Sequence, residues 1–378
     1  MKNLSLSLWK LKREMARLFA QIISGPSAAV QYFMGTPYYD HVLARQKKQW
    51  EGAIPIVDKV AVYLIFPQKG VLQTHIRALE YMRDAGYAPV VVANHTLSAA
   101  DRQGLIPLSA SIIERVNFGY DFGGYRDAML ALAPKIKTLK RLVLLNDSTW
   151  FPLPGASNWL AEAEALDVDF SAAIWAGAIP RPAPWDFEKI EWSIDKSRRN
   201  FHYASFALGF SQRILRDESF MHFWRNLRLT QKKNRTVRRG EIGLTSWVLR
   251  HGYSHGATTE LLDFGTRLAA MPDGDLRAML RSIIIFDDQE MEAIRKKTLN
   301  APDGVTHDRQ RIEKLIMTIV ARRGASYALG DYLIRHEGFT FLKKTPLLAE
   351  RAAPGKLFKL VHSLEGPIGA EILAEVSG

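Results

Sequence analysis

The sequence contains no cysteine. Disulfides, thiolate metal sites and a cysteine nucleophile are therefore excluded, which is compatible with a cytoplasmic protein. Long apolar runs are missing as well, because the longest candidates, such as Val60–Pro67, have the length of a strand and fall short of the ~18 residues that a membrane span needs. Near the N-terminus, apolar residues alternate with lysine and arginine. We therefore expect no secretory signal there.

Positive charge is concentrated in two short parts of the 378-residue chain. The formal net charge is +12, and residues 1–50 contribute +6 while residues 225–239 contribute +7, with seven basic and no acidic side chains. The remaining chain is close to neutral. A nucleic-acid-binding protein with a uniformly basic surface does not have this distribution. The composition, 47% hydrophobic and 24% charged, is that of a globular chain.

Residues 4–23 have apolar side chains at steps of three and four, with basic side chains on the other face. This spacing predicts an amphipathic helix. The helix either packs on the protein's own body or lies at an anionic membrane surface, held there by apolar burial and charge. Trp9 and the basic residues around Trp50 favour the membrane alternative without deciding it.

Strand-like and helix-like segments alternate from residue 60 onward. The first six are Val60–Pro67, Gln73–Ala85, Ala88–Ala93, Ser111–Val116, Gly124–Leu132 and Arg141–Leu145. Later strands are predicted at Asp169–Trp175, Ala204–Ser211 and Tyr253–Thr259, and helices at Arg213–Leu227 and Gly243–Arg250. Past residue 266 the pattern is mostly helical. Such alternation predicts an α/β protein with a doubly wound, parallel sheet, whose ligands lie beyond the carboxyl ends of the strands.

The segment Asn117–Ala128 (NFGYDFGGYRDA) follows the third predicted strand and opens a helix. Its three glycines, which permit tight turning and close backbone approach to a ligand, are Gly119, Gly123 and Gly124. The helix N-terminus can hold a phosphate, with Asp121 and Arg126 placed to meet sugar hydroxyls and phosphate. The alternative is a strand–helix turn that needs glycine for geometry alone. Because the pattern is not GxGxxG, it does not predict a dinucleotide fold.

A second polar motif, Asn146-Asp147-Ser148, stands at the end of the fourth predicted strand. A carboxylate at a strand tip beside a phosphate site is suited to Mg²⁺ or Mn²⁺, which share oxygen ligands with substrate phosphates. Asp147 is therefore a candidate metal ligand. The alternative is an Asx turn or a helix cap.

Glu241 opens an amphipathic helix directly after the basic segment 225–239. It is either an ordinary first-turn acid favoured by the helix dipole or a general base that deprotonates an acceptor hydroxyl. The basic segment itself is either a solvated loop or a site visited by an anion, such as a diphosphate or a lipid head group.

Together these motifs resemble the rhamnan synthesis protein F family. The resemblance is carried by Asn117–Ala128, by Leu144–Ser148 (LLNDS) and by Glu241–Thr245 (EIGLT), in this order and spacing. His202–Phe210 (HYASFALGF) resembles the family's strand after a variable loop, and Arg335–Lys344 (RHEGFTFLKK) resembles a tail segment of related polysaccharide enzymes. The likeness is good over about residues 57–265.

The resemblance implies a bacterial glycosyltransferase with a GT-A-like fold, a nucleotide-sugar donor such as dTDP-rhamnose, and a lipid-linked glycan acceptor at the inner face of the cytoplasmic membrane. It implies a mixed or parallel sheet flanked by helices, with an N-terminal segment 1–52, a transferase domain 53–266 and a helical region 267–378. Glu241 and Asp147 are then the catalytic candidates, with a divalent metal at Asp147. The donor-binding candidates are Asn117, Gly119, Asp121, Gly123, Gly124, Arg126, Asn146 and Ser148, and the acceptor or diphosphate candidates are His202, Ser205, Arg238 and Arg239.

Two other functions compete with this prediction. The motif at Asp147 holds a single carboxylate, so the fold could serve as a non-catalytic scaffold of a polysaccharide assembly complex. A nucleic-acid-binding role for residues 225–239 is disfavoured, because the segment has only Trp224 at its edge for base stacking.

Overall fold

The centre of the fold is an eight-stranded sheet. The computed structural model describes residues 34–155, 157–285, 288–300, 308–349 and 355–377. Across the sheet the strands follow in the order β1 (Lys48–Glu51), β4 (Ser111–Glu114), β3 (Ala88–Ala93), β2 (Lys59–Ile65), β5 (Arg141–Asn146), β10 (Ala207–Ser211), β7 (Phe170–Ala172) and β11 (His255–Ala257). Two short strand pairs lie beside it, β6 (Thr149–Trp150) with β12 (Leu342–Lys343), and β8 (Trp175–Ala176) with β9 (His202–Tyr203).

The sheet is mixed, with a parallel centre. Strands β4, β3, β2 and β5 run parallel, while β1 and β10 are antiparallel to their neighbours and β11 is parallel to β7. The chain leaves β2 toward β3 and β4 on one side and returns to β5 on the other. A switch point therefore lies between the carboxyl ends of β2 and β5, which is where such sheets bind ligands. This confirms the predicted α/β class with a mixed or parallel sheet.

Helices flank the sheet and follow it. Those within the sheet-forming part are α1 (described over residues 34–41), α2 (Gln73–Asp84), α3 (Ala99–Leu105), α4 (Tyr120–Leu132), α5 (Trp159–Ala165), α6 (Gln212–Arg216), α7 (Glu218–Asn226), α8 (Lys233–Arg239) and α9 (Glu241–Arg250). The remaining ones are α10 (Phe264–Ala270), α11 (Asp273–Ser282), α12 (Gln289–Leu299), α13 (Asp308–Arg323), α14 (Ala325–Ala328), α15 (Gly330–His336), α16 (Lys344–Ala349), α17 (Lys356–His362) and α18 (Ile368–Ser377). The mostly helical character past residue 266 is thus confirmed.

Central strands are buried on both faces, because helices cover the sheet. Every residue of Val60–Ile65 is at most 4% exposed, and β3 and β5 are buried along their whole length. Uninterrupted runs of Val, Ile, Leu and Ala are typical of such strands. This is why their positions could be predicted from the sequence.

Several predicted boundaries differ from the structure. The helix α4 begins at Tyr120 rather than Gly124, since Gly119, with a φ of 83°, turns the chain immediately before it. The predicted helix Arg213–Leu227 is broken at Asp217, whose extended backbone ends α6 and whose side chain caps α7 by accepting from the Ser219 N–H. The basic segment includes the helix α8 rather than only a loop.

The C-terminal region continues the main core. Buried side chains from Tyr39 to Phe341 form one cluster, and a second, smaller one joins Trp150 and Leu153 to residues between Leu342 and Val376. The predicted domain boundaries at residues 52 and 266 stay predictions. The predicted amphipathic helix 4–23 lies outside the described residues. In the described ranges, no helix combines the length and apolarity that crossing a bilayer requires.

Candidate active site at the switch point

Asp147 lies at the switch point, immediately after β5. Its N–H donates to the Leu64 carbonyl of β2 (3.0 Å), and its Oδ2 accepts from the Phe66 N–H (2.7 Å). The same oxygen is 3.3 Å from His75 Nε2. Burial alone would raise the pKa of Asp147, but the nearby His75, the charge of Lys344 and the Phe66 N–H together outweigh it and hold that pKa below its ordinary value. Asp147 is therefore an anion, and its side chain remains 19% exposed.

His75 is a site residue that the sequence analysis missed. It lies in the first turn of α2 and is buried, and its Nδ1 accepts from the Leu72 N–H (3.1 Å). This leaves the ring proton on Nε2, facing Asp147. A histidine in the turn that follows a buried strand was the available signal, but nothing in the sequence linked it to Asp147.

Asn146 organises the turn that presents Asp147. Its Oδ1 accepts from the Ser148 N–H (3.1 Å), so the Asx turn considered from the sequence is present. Its Nδ2 lies within hydrogen-bond distance of Asp121 Oδ2 (3.2 Å) and the Tyr125 hydroxyl (3.1 Å). Asn146 thereby joins the end of β5 to the start of α4. Tyr125 is a second site residue whose role the sequence did not indicate.

Asp121 shares its surroundings with two other carboxylates. Burial and the charges of Glu241 and Asp147 together raise its pKa to about 6, against the opposing charges of Lys343 and Lys233. Two acids from distant motifs therefore act on Asp121 at this edge of the sheet.

The turn before α4 is held by hydrogen bonds between its backbone groups and the side chains of Arg115 and Gln231. Arg115 Nη2 donates to the Phe118 carbonyl (2.7 Å), and the Gly119 N–H donates to Gln231 Oε1 (3.2 Å). The Asn117 carbonyl accepts from Gln231 Nε2 (2.9 Å). A Cβ at Gly123 would collide with the Phe118 carbonyl oxygen, and one at Gly124 would collide with Leu64. Close packing of α4 on its own turn and on β2 is thus one reason for these glycines.

Arg126 is engaged in the interior of the fold. Its guanidinium is 5% exposed and forms a bidentate ion pair with Asp40 (2.6 and 2.9 Å), and its Nε donates to the Trp224 carbonyl (3.1 Å). These bonds tie α4 to α1 and to the end of α7. The structure does not join Arg126 to Asp121, Asp147 or Glu241.

Glu241 opens α9 and faces two of the predicted residues. The Ser205 hydroxyl donates to its Oε1, and His202 Nε2 lies 3.5 Å from its Oε2. His202 Nδ1 is 2.8 Å from the Asn200 carbonyl, so both ring nitrogens face oxygen acceptors. The two candidate acids, Asp147 and Glu241, are linked through Asn146, whose Nδ2 is 3.4 Å from the Ser205 carbonyl.

Arg238 and Arg239 end α8, one residue before the glycine that precedes Glu241. Arg239 Nη1 donates to the Arg228 carbonyl (3.2 Å), and Arg238 is exposed. The basic segment contacts the turn before α4, here called the glycine turn, through Gln231, whose carbonyl accepts from the Tyr120 hydroxyl (3.0 Å). The basic segment is thereby placed beside the turn.

The C-terminal region contributes Lys343 and Tyr327, which the sequence analysis did not predict. Lys343 Nζ donates to Ser148 Oγ (3.0 Å) and lies over the rings of Phe206 (4.1 Å) and Tyr327 (5.2 Å). Burial raises the pKa of Tyr327 to about 12, with contributions from the charges of Glu241 and Asp121. The segment Arg335–Lys344 resembles a tail segment of related polysaccharide enzymes. Because it lies far along the chain from the other motifs, its place in the site could not be predicted.

The ligand set for a divalent metal falls short. Across the described ranges, no group of three or more histidine, aspartate or glutamate side chains could hold a metal ion. Asp147 keeps only Oδ1 clear of the hydrogen bond and the histidine contact described above. Mg²⁺ or Mn²⁺ would need oxygens from a bound phosphate to complete its coordination. The side chains of the described residues do not by themselves form a metal centre.

The fold and the site define an α/β protein with a carboxylate-rich cluster at the switch point of a mixed sheet. The family model described as "Rhamnan synthesis protein F" matches residues 89–328, and the chain belongs to this family. The resemblance carried by the motifs is thereby confirmed. The uncharacterized protein y4gN of Sinorhizobium fredii is 28% identical over 272 residues, which are 71% of this chain and 63% of that protein. The alignment thus spans less than two thirds of the relative's length.

Solved structures similar to this chain include mannosyltransferases. PcManGT from Pyrobaculum calidifontis, in complex with GDP-Man and Mn²⁺, is 13% identical with a TM-score of 0.32, over 94% of this chain and 96% of that one. Ktr4p from S. cerevisiae is 10% identical with a TM-score of 0.25, over 47% and 62%. At these identities and scores the likeness is slight.

Proposed function

We propose that the protein is an inverting glycosyltransferase that moves a sugar from a nucleotide-diphosphate donor to an acceptor hydroxyl. The observation that carries the proposal is the convergence of Asp121, Asp147 and Glu241, from three separate motifs, at the switch point of the sheet, where Asn146 and Ser205 connect them. Family membership supports it, because the family is described by the synthesis of a rhamnan.

Glu241 is proposed as the general base. Its carboxylate takes the proton of the acceptor hydroxyl while that oxygen bonds to the sugar C1 and the C1–O bond to the diphosphate breaks. The electron pair of the broken bond leaves with the nucleoside diphosphate. Ser205 and His202 hold the two carboxylate oxygens of Glu241, so they orient the base.

Asp147 and the glycine turn are proposed to hold the donor. Asp147 is anionic and partly exposed beside the backbone of Phe66, where it can accept from sugar or ribose hydroxyls. A Mg²⁺ or Mn²⁺ ion at Asp147 stays a prediction, and it would supply positive charge to the donor phosphates. The N-terminus of α4 offers backbone N–H groups to the phosphates.

The finer identity of the substrates rests on the family. We propose rhamnose, supplied as dTDP-rhamnose, as the sugar and a lipid-linked glycan as the acceptor, in bacterial cell-surface polysaccharide such as O-antigen. The protein would then act at the inner face of the cytoplasmic membrane, with its N-terminal basic segment toward anionic lipid. Nucleic acid is not a proposed partner.

A thermal-shift panel tests the donor class. The full chain is heated with UDP, GDP, dTDP and CDP and their sugars, with and without Mn²⁺. We expect one nucleotide to stabilise the protein, since a ligand that binds only the native state raises the free energy of unfolding by RT ln(1 + [L]/Kd). If no nucleotide stabilises the chain and none is hydrolysed, the scaffold alternative replaces the transferase.

Two variants test the assigned roles once a donor is known. Glu241→Gln should lower sugar transfer by about 100-fold or more while donor binding persists, because only the proton acceptor is lost. Asp147→Asn should weaken donor binding and donor hydrolysis. Glu365→Gln, at an exposed position, is the control. Unchanged transfer in Glu241→Gln would remove Glu241 as the base, and unchanged hydrolysis in Asp147→Asn would remove the role of Asp147.

A further inference from the structure

Lys343 reaches the candidate site from the far end of the chain. It lies in β12, which pairs with β6 so that Lys343 faces Thr149, and the Lys344 N–H donates to the Ser148 carbonyl (3.1 Å). This register places Lys343 beside the turn that carries Asp147. The C-terminal region is thereby part of the site and does not merely cover it.

The ammonium group of Lys343 is buried with few partners. The residue is 7% exposed, and Ser148 Oγ is its one hydrogen-bond partner within the described chain. In the same ranges no carboxylate oxygen lies within 4.0 Å of Nζ, and the rings of Phe206 and Tyr327 lie 4.1 and 5.2 Å from it. An ammonium has three donors, so two of its N–H bonds have no hydrogen-bond acceptor among the described residues.

A buried charge without a close counter-ion is costly. Burial lowers the pKa of Lys343 to about 8, and the more distant charges of Glu241 and Asp121 act in the opposite direction. The group is therefore still mostly cationic at neutral pH. A small anion that enters between Ser148 and the carboxylates would supply the missing acceptors.

We infer that Lys343 binds the diphosphate of the donor and neutralises the charge that develops on the leaving nucleoside diphosphate. This rests on the proposed function. When the C1–O bond breaks, its electron pair goes to a diphosphate oxygen, and Lys343 stabilises that oxygen as a fixed positive charge without giving up its proton. Lys343 is then a catalytic residue supplied by the C-terminal region.

The competing explanation is that Lys343 only balances Asp121 and Glu241. Lys343→Met separates the two, because methionine has a similar length and fits the aromatic surroundings. The donor panel identifies the best-binding nucleoside diphosphate, which is then compared with its monophosphate by calorimetry. We expect Lys343→Met to weaken diphosphate binding about 10- to 100-fold and to abolish the preference for diphosphate over monophosphate. Lys359→Met, at an exposed position of α17, is the control.

A pH profile gives a second readout. The kcat/KM of the natural chain for donor hydrolysis should fall above about pH 8, because the free enzyme then loses the Lys343 proton. In Lys343→Arg, whose guanidinium stays charged, this decline should move at least about one pH unit higher. If Lys343→Met fails to fold, this profile decides the question.

The outcomes separate the two proposals. If the natural chain binds no nucleotide, the proposed function fails, and with it the role of Lys343. If the natural chain binds a diphosphate and folded Lys343→Met binds it equally well with the same preference, only the role of Lys343 is overturned. An unshifted profile in an active Lys343→Arg variant would also overturn it.

Discussion

Asp121 carries a charge at a position where its surroundings oppose ionisation. Its pKa of about 6 lies above the ordinary 3.8, because burial and the neighbouring acids disfavour the anion. The folded chain therefore holds this proton more tightly than the unfolded chain does. Below about pH 3 the carboxyl is neutral in both states, and the free energy of unfolding falls as the pH rises from about 4 to 6. Above about pH 6 the carboxylate is ionised in both states, and the free energy of unfolding is lowered by the full cost of holding this charge in the folded chain.

Asp121→Asn should consequently stabilise the protein at neutral pH. We expect the free energy of unfolding to rise by about 1–3 kcal/mol at pH 7.5, and this gain to vanish toward pH 4. The amide oxygen can still accept from Asn146. Denaturant titrations at the two pH values measure the difference, with exposed Asp275→Asn as a control expected to change it by less than ~0.5 kcal/mol. A less stable variant at pH 7.5 would contradict the assigned environment of Asp121.

The residues of the site were recognisable from the sequence only where they sat in a motif. Asp121, Asp147 and Glu241 stood out because each followed a strand or opened a helix. His75 and Lys343 did not, since their roles depend on contacts with residues 72 and 195 positions away along the chain. Arg126 stood in a motif, but its buried pairing with Asp40 could be seen only in the folded chain.

At the scale of the element, the start of α4 depends on close packing. A methyl group at Gly123 would meet a backbone oxygen, whereas one at Gly124 would meet the Leu64 side chain. A backbone atom cannot move aside as a side chain can. Gly274, in the exposed first turn of α11, has no atom within 4 Å of the added Cβ.

Alanine substitutions at these three glycines should therefore change the free energy of unfolding by different amounts. We expect Gly123→Ala to lower the free energy of unfolding by about 2–3 kcal/mol and Gly124→Ala by about 1–2 kcal/mol, as overpacked positions do. Gly274→Ala should raise it by about 0.5–1 kcal/mol, because alanine loses less backbone entropy in a helix. Thermal or denaturant unfolding measures all three. Equal stability of Gly123→Ala and the natural chain would mean that the glycine serves ligand approach alone.

The C-terminal helix α18 secures the elements around the site. Glu375 accepts from Thr74 of α2 and from Trp150 Nε1 (2.7 Å), and Lys344 Nζ lies 3.4 Å from the same carboxylate. Arg77 of α2 pairs with Glu371 of α18. The helix that carries His75 and the strand that carries Lys343 are thus joined to the same element, which explains how a distant tail can hold its position in the site.

At the scale of the whole molecule, the net charge of +12 becomes two local features around a nearly neutral body. Residues 2–17 contain five basic side chains, and the segment 225–239 contains seven. Lys233 of the second segment lowers the pKa of both Asp121 and Lys343, so its charge acts on the site itself.

Neutralising the two segments should give different defects. Replacing the five basic residues of 2–17 by glutamine should weaken binding to vesicles that contain anionic lipid, by up to about 1 kcal/mol per charge, and spare donor binding. Replacing Lys232, Lys233 and Arg238 by glutamine in the same way should instead reduce the rate of donor turnover. Vesicle sedimentation over a salt series and donor hydrolysis measure the two properties. The same defect in both variants would contradict this division.

The sequence by itself determined the α/β class, the positions of the central strands and the family. Buried parallel strands and polar strand ends produce patterns that are contained within short segments of the sequence. It could not determine which motifs share one site. That was decided by the tertiary structure, in which β12 returns from the C-terminal region to β6 and brings Lys343 to Ser148. Pairing between segments nearly 200 residues apart depends on how the helices between them pack. Local periodicity in the sequence does not predict such pairing.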